Sequence, residues 1–219
     1  MHYRSTRNSS LKVSFSEVLL GGLPSDGGLY MPENIPFHSL EQINSFHSLN
    51  YEELTVKLLS PFVLDEINKD DFKHIVINSY KVFENKEIVQ LTNLEKQRWV
   101  LELFHGPTFA FKDVAMQLLA TLVEHFAKKR EKKIAVLGAT SGDTGSAAIA
   151  AFSRYKDVEI FILYPQGGVT EIQRKQMTTS QAKNVHALSV QTDFDGCQDA
   201  TEDEDDDNDG LLDANESCP

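Results

Sequence analysis

Strand-like and helix-like runs alternate through the second half of this chain, and that alternation limits the folds it can adopt. Four short apolar runs are typical of strands: 99–104, 134–137, 158–163 and 185–190. Three longer runs lie between them and are typical of helices: 111–130, 145–155 and 171–180. Such alternation predicts an α/β fold with a parallel, doubly wound sheet. Ligands of such sheets bind beyond the carboxyl ends of the strands.

Residues 1–93 have a different pattern and are predicted to form a separate, mixed α/β domain. Helical stretches are expected at 51–62 and 64–80. Glycine and proline punctuate the start at Gly21, Gly22, Pro24, Gly27, Gly28, Pro32 and Pro36. The predicted organisation is an N-terminal domain at 1–93, an α/β domain at 94–200 and an acidic tail at 201–219.

The segment from His105 to Asp113 places Lys112 at the start of the helical run 111–130. A helix N-terminus favours anions, and the neighbours Phe109 and Phe111 are apolar, so the sequence predicts a lowered pKa for the Lys112 ammonium. A neutral lysine amine attacks aldehydes, which makes Lys112 a candidate anchor for an aldehyde cofactor. The alternative is a solvated lysine in a first helical turn.

Glycine and hydroxyl residues follow the strand-like run 134–137, where residues 138–146 read GATSGDTGS. A strand, a glycine-rich turn and a helix together form a cradle for anions. The segment lacks the lysine of a Walker phosphate loop, because Ser146 follows Gly145, and its glycine spacing does not match a dinucleotide fingerprint. The alternative is an ordinary strand-to-helix turn that uses glycine for tight geometry.

Four stretches of the chain resemble the threonine synthase family, which are pyridoxal-phosphate (PLP) enzymes with the fold of the tryptophan synthase β-subunit. In the family's order they are YRSTR at 3–7, PSDGGLYMP at 24–32, HGPTFAFKD at 105–113 and ATSGDTGSA at 139–147. The resemblance extends to about residue 200, roughly the first half of such an enzyme. It implies a mixed N-terminal domain followed by a partial doubly wound parallel sheet of PLP fold type II.

The resemblance also implies a function, the PLP-dependent conversion of O-phosphohomoserine and water to threonine and phosphate. In this carbon-oxygen lyase reaction Lys112 would be the catalytic residue, holding the cofactor and moving protons. The implied cofactor-binding residues are Lys112, Phe111, Ser141, Gly142, Asp143, Thr144 and Gly145. The implied substrate-binding residues are Thr140, Ser141, Thr144 and His105. For His105, a hydrogen-bonded turn histidine is an equally good interpretation.

In the family, a second glycine-rich loop holds the cofactor phosphate and a hydroxyl group meets the pyridine nitrogen, and both follow the part that the resemblance covers. The chain is therefore expected to be truncated and catalytically incomplete. An open sheet edge and an uncovered apolar face predict poor solubility or dependence on a partner. Two alternatives remain: a threonine-synthase-like phospholyase acting on another phosphorylated amino acid, or a non-catalytic truncated chain with a calcium-binding tail.

Acidic residues are concentrated at the end of the chain, where nine lie from Glu202 onward without any basic residue. This segment fits the calcium-loop pattern, in which alternating carboxylates converge on a hard cation and a glycine makes the turn. The predicted calcium ligands are Asp205, Asp207, Asp209, Asp213 and Glu216. The segment also resembles a thrombospondin type 3 repeat, and a disordered acidic tail is the alternative.

Composition excludes several other classes of protein. The net charge of −12 argues against binding to nucleic acid. The sequence contains neither an apolar run near the ~20 residues of a membrane span nor a signal-peptide core. Cys197 and Cys218 have no metal-ligand spacing, so a reduced, cytoplasmic protein is expected. The sequence leaves the oligomeric state open.

Overall fold

Polar caps start the helices of the N-terminal part. A computed structural model describes residues 1–191, and it divides into two compact units, one from Met1 to Arg130 and one beginning at Glu131. Capping boxes start three helices of the first unit, in which a polar side chain and the third helical residue satisfy each other's amides. These helices are α1 (Phe15–Gly21), α2 (Leu40–Ser45) and α3 (Tyr51–Val63).

Helices form the core of the first unit. The helices α4 (Lys69–Tyr80) and α5 (Lys112–Lys129) join α3 around a hydrophobic cluster, with Phe72 and Phe126 almost completely buried. Two buried contacts fix α5 against α4: the Ser79 hydroxyl donates to Thr121 Oγ1 (2.9 Å), and the Tyr80 hydroxyl donates to the Val114 carbonyl (3.3 Å). The start of α5 is therefore held on a rigid support.

Two short antiparallel pairs complete the first unit. Strand β1 (Tyr3–Ser5) pairs with β2 (Tyr30–Pro32), and β3 (Gln90–Glu95) pairs with β4 (Arg98–Glu102). The sequence predicted the run at 99–104 as part of the parallel sheet, which is wrong for this strand. The polar turn between Glu95 and Arg98 lets the chain fold back directly, and so short a connection requires antiparallel pairing.

The second unit contains the predicted parallel sheet. Its described strands are ordered β5 (Ile134–Ala139), β6 (Val158–Pro165) and β7 (Val185–Val190), and all pairs are parallel. The helices α6 (Asp143–Phe152) and α7 (Glu171–Thr178) follow β5 and β6. Successive side chains of β6 alternate between buried and half-buried, because they point to opposite faces of the sheet.

The sequence located most of these elements but missed some. Helix α4 begins at Lys69 rather than at residue 64, because Asn68 caps it and accepts the amide of Asp71 (2.9 Å). The short helices α1 and α2 and the strand β3 were not predicted. The domain boundary proposed near residue 93 remains a prediction. In the described part of the chain, no helix is long and apolar enough to cross a membrane.

Candidate active site

Lys112 is the first residue of α5 and lies directly after an irregular loop. Its side chain is half-buried, and its Nζ atom lies 4.3 Å from the centre of the Phe111 ring. The aromatic neighbours Phe109 and Phe111 are 74% and 58% exposed. The amine therefore lies against an aromatic ring and remains accessible, as a residue that condenses with an aldehyde requires.

The loop before Lys112 is held by the buried carboxylate of Asp113. Its two oxygens accept hydrogen bonds from the Thr108 amide and the Thr108 hydroxyl, both at 2.8 Å. Burial raises the pKa of Asp113 above its ordinary value, while the hydrogen bonds from Thr108 and Ala110 act in the opposite direction. Asp113 is fully buried, so its carboxylate contacts the loop and is not accessible to solvent. Sequence reasoning assigned no role to this residue.

His105 lies at the end of the segment that follows β4. Its Nε2 atom is 2.8 Å from Glu102 Oε2, and the other Glu102 oxygen accepts the Thr92 hydroxyl (2.7 Å). These two contacts lower the pKa of Glu102, with the Thr92 bond the larger cause. Because Glu102 occupies Nε2, the Nδ1 atom is the ring nitrogen that His105 can offer to a ligand. Both interpretations of His105, turn residue and substrate contact, remain compatible with this geometry.

Thr140 shapes the glycine-rich loop in the second unit. It follows β5, is 2% exposed, and its Oγ1 atom accepts the amides of Gly142 (3.0 Å) and Gly145 (2.9 Å). The hydroxyl proposed as a substrate contact is therefore engaged inside the loop. The sequence predicted the loop, but not the two hydrogen bonds that Thr140 accepts within it.

Two glycines allow the tight path of this loop. Gly142 has φ +135°, a conformation almost restricted to glycine, and a Cβ there would lie 2.4 Å from Gln173 Cδ. A Cβ on Gly145 would lie 2.5 Å from Thr140 Cγ2. These close approaches leave no room for a Cβ at either position, so the chain can follow this path only with glycine.

The start of α6 offers backbone donors. In the described part of the chain, the amides of Asp143 and Thr144 donate to no protein acceptor, unlike those of Gly145 and Ser146. Free amides at a helix N-terminus bind anions. Asp143 is acidic, but the Gln173 amide donates to its Oδ1 atom (2.8 Å), which fixes the carboxylate towards α7. The geometry fits an anionic group of a cofactor or substrate.

Gln173 is a site residue that sequence reasoning missed. It is the third residue of α7 and forms a capping box with Thr170, a pattern visible as T-x-x-Q in the sequence. The sequence indicates the cap. It does not indicate that the Gln173 side-chain amide also donates to Asp143, 30 residues earlier, and lies against Gly142. The remaining site residue, Ser141, is exposed on the loop.

The predicted calcium site belongs to the acidic end of the chain. Asp205, Asp207, Asp209, Asp213 and Glu216 all lie outside the described residues. Within residues 1–191, no group of three or more His, Cys, Asp or Glu side chains is arranged to hold a metal ion. The calcium loop remains a prediction.

The chain is similar to known proteins along most of its length. Residues 2–80 match the family model described as the threonine synthase N terminus. Over 198 residues the chain is 48% identical to threonine synthase from Pseudomonas aeruginosa, covering 90% of this chain and 42% of the relative. The chain is similar to the N-terminal portion of threonine synthases. It spans about two-fifths of the length of the relatives that it matches.

Structural similarity points to the same family. A crystal structure of PLP-bound threonine synthase from Brucella melitensis matches with a TM-score of 0.82 and 45% identity, covering 91% of this chain and 43% of that one. The chain is also 39% identical to threonine synthase-like 2 from Xenopus laevis, over 87% of this chain and 40% of that relative. The resemblance to threonine synthase and the PLP fold type expected from the sequence motifs are confirmed.

Proposed function

We propose that this chain contributes the cofactor-anchoring part of a threonine synthase, which forms threonine and phosphate from O-phosphohomoserine and water. The observation that carries the proposal is the similarity to threonine synthases over nine-tenths of the chain, at 48% identity and with a TM-score of 0.82 to a PLP-bound structure. Bound PLP would supply an electron sink for carbanion charge at the substrate. The residues of this chain supply binding, orientation and proton transfer.

Lys112 is proposed as the residue that holds the cofactor and moves protons. Its amine is half-buried beside the Phe111 ring in the first turn of α5. An amine held in one place beside the substrate carbons can accept a proton at one step and return it at another. The fixed start of α5 supports this role, because proton transfer depends on distance and direction.

The loop from Ser141 to Gly145 is proposed to hold an anionic group of the substrate or cofactor. The free amides of Asp143 and Thr144 and the glycine path support this role. Thr140 would act through the loop, whose shape its Oγ1 atom holds. The Ser141 and Thr144 hydroxyls would add donors to the bound group, and His105 would offer its Nδ1 atom.

A chimera tests the proposal directly. Residues 2–190 of this chain would replace the matching segment of Pseudomonas aeruginosa threonine synthase, and threonine and phosphate would be measured with O-phosphohomoserine as substrate. We expect the chimera to be active, and Lys112→Ala to lower the rate by at least about 10³-fold, as loss of a covalent catalytic group does. The matched control Lys86→Ala replaces an exposed lysine and should retain activity. Full activity of the Lys112→Ala chimera would refute the role of this residue.

A second candidate function rests on the similarity to threonine synthase-like 2 from Xenopus laevis. Under this alternative, the same residues would serve a phospholyase for another phosphorylated amino acid. The greater identity to threonine synthase favours the first proposal. Comparing product formation by the chimera across a panel of phosphorylated amino acids separates the two, because a preference for a substrate other than O-phosphohomoserine supports the alternative.

Two further proposals concern the whole protein. The cytoplasm is the proposed compartment, and imaging of the tagged chain in its native cell tests it. Calcium binding by the acidic segment is tested by titrating the full chain with calcium and comparing Glu216→Gln. If neither protein takes up calcium at millimolar concentration, the calcium loop is ruled out.

A further inference from the structure

Asp113 is the residue next to Lys112, and its environment is unusual for an acidic residue in a first helical turn. Such residues are ordinarily solvated, whereas Asp113 is completely buried. Its carboxylate is satisfied by the preceding loop, through the Thr108 amide and hydroxyl. A buried charge is retained only where hydrogen bonds compensate its desolvation. The loop and this carboxylate therefore depend on each other.

The loop is built closely around the Asp113 side chain. A Cβ at Gly106 would lie 2.4 Å from Asp113 Cβ, so only glycine allows this approach. The Phe109 amide donates to the Gly106 carbonyl (3.1 Å), and Phe109 has φ +61°, a left-handed conformation that is rare for an aromatic residue. Strained backbone persists only where its surroundings enforce it. Here the hydrogen bonds to Asp113 provide that enforcement.

Among the described residues, no other side chain caps the start of α5. The residue before the helix, Phe111, makes no side-chain capping bond, in contrast to Ser14, Ser39, Asn50 and Asn68 at the other α-helices of this unit. The backbone entry is fixed by the Asp113 amide, which donates to the Ala110 carbonyl (3.0 Å). Both the side chain and the backbone of Asp113 thus fix residues 108–111, and with them the direction in which Lys112 leaves the helix.

We infer that Asp113 is a positioning residue for Lys112, which it orients by closing the loop 106–111 onto the first turn of α5. The inference rests on the proposed cofactor-binding role of Lys112. Asp113 does not itself meet substrate or cofactor, because its oxygens face Thr108 and it is inaccessible. Burial raises the pKa of Asp113, which agrees with a carboxylate enclosed by protein.

The test measures how selectively PLP reacts with Lys112. The full chain is incubated with PLP, reduced with borohydride and digested, and mass spectrometry gives the yield of adduct at Lys112 relative to the exposed Lys86 in the same molecules. We expect Asp113→Ala, which removes both acceptors of the Thr108 donors, to lower this ratio by about tenfold or more, because small displacements of a reacting group have large effects. Near-ultraviolet circular dichroism confirms that each variant is folded, which separates misplacement from unfolding.

Two further variants keep the test decisive. Thr108→Val removes the hydroxyl donor but retains the amide donor, so an intermediate ratio is expected. Asp70→Asn is the matched control, since Asp70 is an exposed acid in the first turn of α4 and should leave the ratio unchanged. If the wild-type chain reacts selectively and folded Asp113→Ala reacts equally well, the inference is wrong while the proposed function stands. If wild-type Lys112 is no more reactive than Lys86, the proposed role of Lys112 itself fails.

Discussion

Single hydrogen bonds decide the shape of the glycine-rich loop. Thr140 Oγ1 accepts two loop amides at once, and Gly142 and Gly145 are themselves buried. A buried amide without an acceptor costs roughly 1–3 kcal/mol. The loop conformation therefore depends on this one oxygen atom.

Replacing this oxygen gives the first prediction. Thr140→Val keeps the size of the side chain but leaves both amides without an acceptor, so the free energy of unfolding should fall by about 2 kcal/mol or more. Thr140→Ser is the matched control, because it keeps the oxygen and loses only a methyl group. Urea denaturation followed by circular dichroism measures both. Equal stability of the Val and Ser variants would contradict the role of the two hydrogen bonds to Thr140 Oγ1.

His125 gives a prediction about pH. Burial, followed by the nearby Lys129, lowers the pKa of His125 below its ordinary value of 6.5. The unfolded chain then binds a proton more readily than the folded chain between the lowered pKa and 6.5, so stability is lost as pH falls through this window. His125→Gln should remove this part of the pH dependence.

The measurement is the free energy of unfolding at several pH values between about 5 and 7.5. The wild-type curve should fall more steeply towards low pH than the His125→Gln curve. His47→Gln, at an exposed position, controls for the loss of a histidine elsewhere. Parallel wild-type and His125→Gln curves would show that His125 carries no such penalty.

At the scale of elements, the strand-turn-helix unit from β5 to α6 depends on the backbone of Gly142. Gly142→Ala introduces strain at φ +135° and brings a Cβ against the Gln173 amide. We expect a loss of about 1–3 kcal/mol of unfolding free energy. Gly167→Ala is the matched control, because Gly167 also has positive φ (+84°) but a Cβ there would meet no atom within 4 Å.

A second variant separates strain from collision in this unit. Combining Gly142→Ala with Gln173→Ala removes the collision, so part of the stability should return in a double-mutant cycle. Chemical denaturation of the four proteins measures the coupling. Strictly additive effects would mean that Gln173 does not pack on this turn.

The same elements show what a sequence can and cannot predict. The helix from Lys112 to Lys129 and the strands of the parallel sheet follow from apolar periodicity, which is a local signal. The loop at 138–146 follows from its glycines and hydroxyls. In contrast, two hydrogen bonds could not be predicted: the one from Thr108 to Asp113 and the one from Gln173 to Asp143. Neither bond changes the local pattern of apolar and polar residues in the sequence. The pairing of β4 was mispredicted because its apolar run resembles a buried strand.

The whole molecule exposes apolar side chains that a compact protein ordinarily covers. Three of these side chains lie on the β3–β4 hairpin and form what we call the hairpin patch. They are Leu91, Trp99 and Leu101, each more than half exposed. Leu91 and Leu101 are cross-strand partners, and Trp99 pairs with Asn93 two residues along the same face. Contiguous exposed apolar surface favours association with other apolar groups.

This surface gives a prediction for the complete chain. The wild-type protein should bind a dye that fluoresces on apolar surfaces, and replacing both Leu91 and Leu101 with threonine should lower the fluorescence while preserving strand propensity. The control replaces Leu23 and Leu40, two exposed leucines elsewhere, which should change the signal less. An equal decrease in both variants would mean that the hairpin patch has no special role.

The position of the cofactor in a crystal structure of the full chain, after reaction with PLP and reduction with borohydride, tests the central claim most directly. The account predicts continuous electron density from Lys112 Nζ to the former aldehyde carbon of PLP, and no such density in the Lys112→Ala protein. Density attached to a different lysine, or a Lys112 side chain in bulk solvent without cofactor, would contradict it.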